Sequence, residues 1–159
     1  MRKCSGLTLW EVMTVIGIMA VFATIAIPNF IGWLPDYRLG SAARDMLSAL
    51  QHARLVAVKE NVNVLVNFDL NNNYFLIFPD YDSDTNQDAD EPTIRGGVLA
   101  GGITLKDAEF GVADAFSFNS RGLASGSGGT LHMINRQNRL TRIRINRTGN
   151  SRILRHDED

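Results

Sequence analysis

The chain has 159 residues and a formal charge of −1, with 45% hydrophobic and 21% charged residues. That composition suits one domain with a modest core, and it excludes wholesale disorder, a collagen-like chain and a protein that is basic all over. The lone cysteine, Cys4, excludes an internal disulfide framework and any multi-cysteine zinc site.

Arg2 and Lys3 open the chain, and polarity then collapses. No charge falls between Val12 and Ile27, and the apolar character continues through Pro28 to Leu34. About 20 apolar residues cross a bilayer as a helix, so the stretch from Leu7 can span one. The basic residues ahead of it keep the amino terminus cytoplasmic and send the rest outward. A cleaved secretory signal, ending near Thr24 and Ala26, is the competing reading. Three features oppose it: Ser5-Gly6 separates the basic residues from the run, Glu11 sits inside the run, and the run continues past Ala26. An acid at membrane depth costs about 2.5–3.5 kcal/mol on insertion scales, so Glu11 calls for a partner.

Gly6-Leu7-Thr8-Leu9-Trp10-Glu11 resembles the type IV prepilin signature: a short basic leader, a glycine, then an apolar helix with glutamate at its fifth position. The resemblance implies cleavage by a prepilin peptidase between Gly6 and Leu7, with N-methylation of Leu7. It also implies an assembly role for Glu11, whose carboxylate would pair with the new ammonium of a neighbouring subunit in a dry filament core. Phenylalanine is usual in the family where Leu7 stands, and a smaller aliphatic where Trp10 stands. Cys4 would leave with the leader.

Beyond the membrane segment, Leu39, Ala43, Met46, Leu50, Ala53 and Ala57 recur at helical spacing, with Arg44, Asp45, Gln51, Arg54 and Lys59 off that stripe. The pattern predicts one helix from Leu7 to about Glu60, kinked or locally broken at Pro28 and Pro35. The period then changes to two. Val62, Val64, Val66 and Phe68 alternate with Asn63, Leu65, Asn67 and Asp69, an Asn-rich turn spans Leu70–Asn73, and Tyr74–Phe78 reads as a second strand. Further strands are expected at Ile103–Lys106, Ala115–Asn119, Gly129–Ile134, Leu140–Asn146 and Arg152–Leu154. The Gly/Ser run Ser120–Thr130 reads as a mobile loop, and it lacks the Gly-Lys-Ser/Thr ending of a phosphate cradle. A helix followed by short strands in one antiparallel sheet or two small ones is an α+β architecture.

Tyr74-Phe75-Leu76-Ile77-Phe78-Pro79-Asp80, Thr93-Ile94-Arg95, Phe116-Ser117-Phe118-Asn119-Ser120-Arg121-Gly122 and Ile143-Arg144-Ile145-Asn146-Arg147-Thr148-Gly149 are similar to the GspH/FimT branch of that family. The likeness covers Gly6 to about Arg155. It implies a type IV pilin-like fold, in which a long amino-terminal helix, transmembrane in its first half, precedes a small antiparallel β-rich domain. The organisation expected is a leader at 1–6, a transmembrane and filament-core helix at 7–34, and a periplasmic domain at 35–159. The function implied is that of a minor pseudopilin near the tip of the periplasmic pseudopilus of a type II secretion system. The alternative is a FimT-like minor pilin in pilus assembly or DNA uptake. Partners implied are the prepilin peptidase, major and minor pseudopilins and an inner-membrane assembly platform, with DNA only under the alternative.

Two charged constellations stand out. Asp80, Asp82, Asp84, Asn86, Asp88 and Glu91 fall at positions 1, 3, 5, 7, 9 and 12 of the EF-hand calcium pattern. Thr85 stands where the sharp turn wants glycine, so two readings stay open, a calcium loop and a solvated acidic loop. The fold itself requires no cofactor. Arg136, Arg139, Arg142, Arg144, Arg147, Arg152 and Arg155 form a basic segment, with Arg142 and Arg144 expected on one strand face. It could meet nucleic-acid phosphates or an acidic neighbouring subunit. Gly149-Asn150-Ser151-Arg152 departs from the arginine-containing motif of DNA-receptor pilins at Asn150. The segment lacks aromatics for base stacking. His52, His132 and His156 belong to no triad or metal motif, and Ser127 lies in no nucleophile elbow, so no enzyme is expected.

Overall fold

The computed structural model describes residues 6, 8–99, 101–110 and 114–154. Cys4, Leu7, Arg155 and His156 lie outside the described residues. The chain divides into two units, residues 1–34 and 35–159.

One helix, α1 (Leu9–Glu60), begins in the first unit and ends in the second. Pro28 and Pro35 lie inside it, so the local break expected there does not occur. In the first unit the side chains are exposed all round, from Leu9 and Trp10 to Ile31 and Trp33. This is the one described helix long and apolar enough to cross a membrane. In the second unit the helix is amphipathic. Leu39, Ala43, Met46, Leu50, Ala53 and Ala57 are buried, as their spacing predicts, and Ala49 and Val56 widen the stripe. Asn61, at φ 56°, ends the helix in the left-handed region, and the Val62 amide donates to the Ala57 carbonyl at 3.2 Å. That is the 6→1 bond of a Schellman cap, and it turns the chain into the first strand.

The eight described strands form two antiparallel sheets. The first contains β1 (Asn63–Asp69), β2 (Tyr74–Asp80), β3 (Arg95–Val98) and β5 (Ala115–Phe118) in the order β3-β2-β1-β5. The second contains β4 (Thr104–Glu109), β6 (Gly128–Ile134), β7 (Leu140–Asn146) and β8 (Ser151–Leu154) in the order β4-β6-β7-β8. The helix stripe and the inner faces of both sheets share one core, with Val64, Val66, Ile77, Leu131, Met133, Ile143 and Ile145 fully buried. Phe110 stacks on Phe116 at 4.5 Å and Phe68 on Phe110 at 5.6 Å. Asn73 joins the sheets: its side-chain amide donates to the carbonyls of Leu99 and Ile103, and its Oδ1 accepts from the Leu105 amide at 2.8 Å.

Two expectations are corrected. Arg95–Val98 is a strand that the sequence did not suggest, since Gly96 and Gly97 carry no strand propensity. The run Ser120–Thr130 is not loop throughout, because β6 begins at Gly128. A side chain at Gly129 would strike the Glu109 carbonyl and the Phe110 ring, so this glycine permits close strand packing.

Candidate assembly, acidic-loop and arginine sites

At the amino-terminal end, Thr8 caps α1. Its carbonyl accepts the first helical bond from Val12 at 3.2 Å, and its Oγ1 accepts from the Glu11 amide at 3.3 Å. Glu11 Oε2 in turn accepts from the Thr8 amide at 3.2 Å and the Thr8 hydroxyl at 3.1 Å. This is a reciprocal capping box, and the Thr-x-x-Glu spacing was the signal that could have revealed it. The carboxylate therefore has local donors within its own chain. Gly6 is exposed, and Leu7, the other side of the expected cleavage site, lies outside the described residues.

In the acidic loop between β2 and β3, Asp80, Asp82 and Asp84 each present a carboxylate oxygen within 4.8 Å of the others. These three could hold a cation. Glu91, expected to close such a shell, is 4% exposed and otherwise engaged: Oε1 accepts from the Tyr81 amide at 2.7 Å and Oε2 from the Asp88 amide at 3.1 Å. Asp80 accepts from the Ser83 amide, and Asp84 from the Asn86 amide. Thr85 sits at φ 70°, so the turn that wants glycine is made by a β-branched residue under strain. The charge of Asp84, ahead of desolvation and of Asp82, Glu91 and Asp90, raises the carboxyl of Asp88 above its ordinary value.

The arginines divide. Arg139 approaches Asp36 at 3.8 Å, near the Asn135 amide, which donates to Asp36 Oδ1 at 2.8 Å. Arg136 lies over Gly102, and Arg147 is exposed in the turn after β7. Arg142 and Arg144 share the outward face of the second sheet, as the alternation with Ile143 and Ile145 predicts. Arg144 stands directly opposite Arg152 in the β7–β8 register. On the far side of the same face, Asp107 and Glu109 of β4 stand opposite His132 and Thr130, and His132 Nε2 is 3.9 Å from Glu109. The face is thus basic along β7–β8 and acidic along β4. Arg155 lies outside the described residues.

One arginine outside this group is structural. Arg54 Nε donates to the Gly122 carbonyl at 2.9 Å, and its terminal nitrogen donates to the Thr148 carbonyl at 3.0 Å. Gly149, at φ 75°, lies against both Gly122 and Arg54, where any side chain would collide with the Gly122 carbonyl.

A family model described as "Type II transport protein GspH" matches residues 42–149. The chain belongs to the GspH family. Membership makes it a minor pseudopilin or pilin-like subunit, of a kind that associates with other pseudopilins in a pseudopilus and is not normally an enzyme. Its fold is similar to that of the minor pseudopilin EpsH from the type II secretion system of Vibrio cholerae. That match has a TM-score of 0.58 and 15% identity over 76% of this chain and 99% of that one. It is also similar to the type IV minor pilin FimU of Pseudomonas aeruginosa, with a TM-score of 0.61 and 17% identity over 79% and 95% of the two chains. No curated protein matches in a sequence search.

Proposed function

We propose that this chain is a minor pseudopilin of a type II secretion system, placed near the tip of a periplasmic pseudopilus. The reading is carried by the GspH match, which runs from the helix stripe through β7 to Gly149. The subunit is stored in the bacterial inner membrane as a single-pass protein with its globular domain in the periplasm. Prepilin peptidase cuts between Gly6 and Leu7, and Leu7 is N-methylated. Glu11 then exchanges its capping partners for the ammonium of a neighbouring subunit, on a membrane platform that assembles the filament. Its action is mechanical: a rigid wedge-like cap that helps initiate the filament and engages partners through its sheets. In this reading the subunit needs no cofactor, with Glu91 closing the acidic loop through backbone amides, and calcium at Asp80, Asp82 and Asp84 is the alternative.

A second reading, a FimT-like minor pilin in pilus assembly or DNA uptake, draws on the juxtaposition of Arg144 and Arg152. Like charges directly opposite destabilise a sheet unless an anion lies over them. Deleting the chain's gene separates the two. Under the first reading, exported proteins accumulate in the periplasm while twitching and transformation persist. Loss of twitching or transformation with secretion intact would establish the second.

A further inference from the structure

We propose that Trp10 and Trp33 are the two interfacial anchors of the apolar helix, and that they hold Glu11 at a headgroup boundary rather than within the hydrocarbon. The inference deepens the membrane-anchored reading above and rests on it.

Both indoles are exposed, Trp10 at 81% and Trp33 at 59%. At 1.5 Å per residue they are about 35 Å apart along the axis, or about 33 Å across a bilayer at an ordinary tilt of about 20°. A hydrocarbon core is about 30 Å thick, so both rings reach the levels where tryptophan concentrates in membrane proteins. No charged residue lies between Val12 and Leu34. The hydroxyls of Thr14 and Thr24 donate to the carbonyls of Trp10 and Val21 on their own helix, and the exposed amide of Asn29 lies one turn from Trp33, toward that end of the span.

The occupant of this surface follows from its distribution. At 100° per residue the two indoles point about 140° apart around the helix, so no single flat protein face meets both. Val12, Met13, Ile16, Val21, Phe22 and Ile25 are exposed between them and together cover every side. A helix that is apolar all round fits a surrounding medium, and here that medium is lipid.

Glu11 follows Trp10 by one residue, and helical side chains lean toward the amino terminus. Its carboxylate accepts from the Thr8 amide and hydroxyl, which places it level with Thr8, on the amino-terminal side of the Trp10 backbone. Water and headgroups reach it there. The acid therefore stays hydrated while the subunit waits in the membrane, and it leaves water only on joining a filament.

The test uses the full chain in phosphatidylcholine vesicles whose acyl chains carry bromine near the headgroup, at mid-chain or at the chain end. The sequence has two tryptophans, so Trp33→Phe reports on Trp10 alone and Trp10→Phe on Trp33 alone. Each indole should be quenched about threefold more by shallow bromine than by chain-end bromine. Strongest quenching of either by chain-end bromine overturns the register while leaving membrane anchoring in place. Quenching of neither by any of the lipids removes the register together with the anchoring it rests on.

Discussion

Arg54 offers the sharpest test of how the helix is fastened to the sheets. By periodicity it belongs to the solvent side of α1, yet its guanidinium spans two loops and donates to the carbonyls of Gly122 and Thr148. The two bonds are not equivalent. Thr148 is exposed, and water can replace the lost donor there, whereas Gly122 is buried. Arg54→Met keeps most of the aliphatic stem and leaves the Gly122 carbonyl without its donor. A buried acceptor left unpaired costs about 1–3 kcal/mol. For a domain of this size each kcal/mol moves the melting temperature by about 4 °C, so a drop of about 4–12 °C is expected. Thermal unfolding of the full chain in mild detergent, followed by circular dichroism in the β-sheet region, reads it. Arg144→Gln serves as the control and should melt with the parent or slightly above it, because it relieves the repulsion with Arg152. If Arg54→Met melts within 1 °C of the parent (about 0.25 kcal/mol), the bridge does not hold the helix and the argument fails.

The remaining expectations concern the loop and the amino terminus. Thr85→Gly removes a β-branched residue from φ 70° and should stabilise the chain by about 0.5–1 kcal/mol, after allowance for the extra freedom of glycine in the unfolded state; a lower denaturation midpoint would contradict the strain. Asp88 has its folded pKa raised above 3.8, so the folded state binds the proton more tightly and loses stability as pH rises from 3.8 through the folded value. Asp88→Asn should therefore melt higher than the parent at neutral pH and lose that advantage below pH 3.8, and an advantage that persists in acid would rule out charge repulsion as the cause. Chelation with EGTA should leave the melting temperature unchanged, and a drop that calcium restores would show the acidic loop to be a metal site. Glu11→Ala should leave cleavage intact on immunoblots but reduce recovery of the subunit in sheared filament fractions; normal incorporation would remove the pairing argument.

How much of this was legible depends on whether the relevant physics is local. The helix stripe from Leu39 to Ala57 and the alternation in β1 and β7 are written into neighbouring residues, and the structure follows them. β3 is held by its pairing to β2, Ile77↔Arg95 through Tyr74↔Val98, and two of its four residues are glycine. Nothing in its own composition marks it. Gly128 reads as loop because glycine usually does, whereas here a missing side chain lets strands approach closely. The acidic loop shows the same limit. Spacing put six oxygen-bearing residues in register with a calcium pattern, but it could not show that Glu91 turns inward to two backbone amides. Arg54 escaped because its acceptors lie 68 and 94 residues away.

In the membrane-anchored reading proposed above the single helix works in two solvents, and its sequence changes code between Leu34 and Leu39. Before that point every side is apolar, so nothing in the residues selects one face, and the segment is stable wherever hydrocarbon or other apolar helices surround it. After that point one stripe is committed to the sheets, and that commitment fixes the rotation of the helix within its own domain. A filament subunit needs both properties. The uniform half can trade lipid for neighbouring helices with no loss of apolar contact, since lipid tails and apolar side chains offer similar surroundings. The polar groups are what make the exchange selective. Under the proposed function, Glu11 is satisfied by Thr8 before assembly, so it does not drive the helix out of the membrane. A partner must offer more than a backbone amide and a hydroxyl to displace that cap, and a full positive charge in a dry core does so where a neutral group would not.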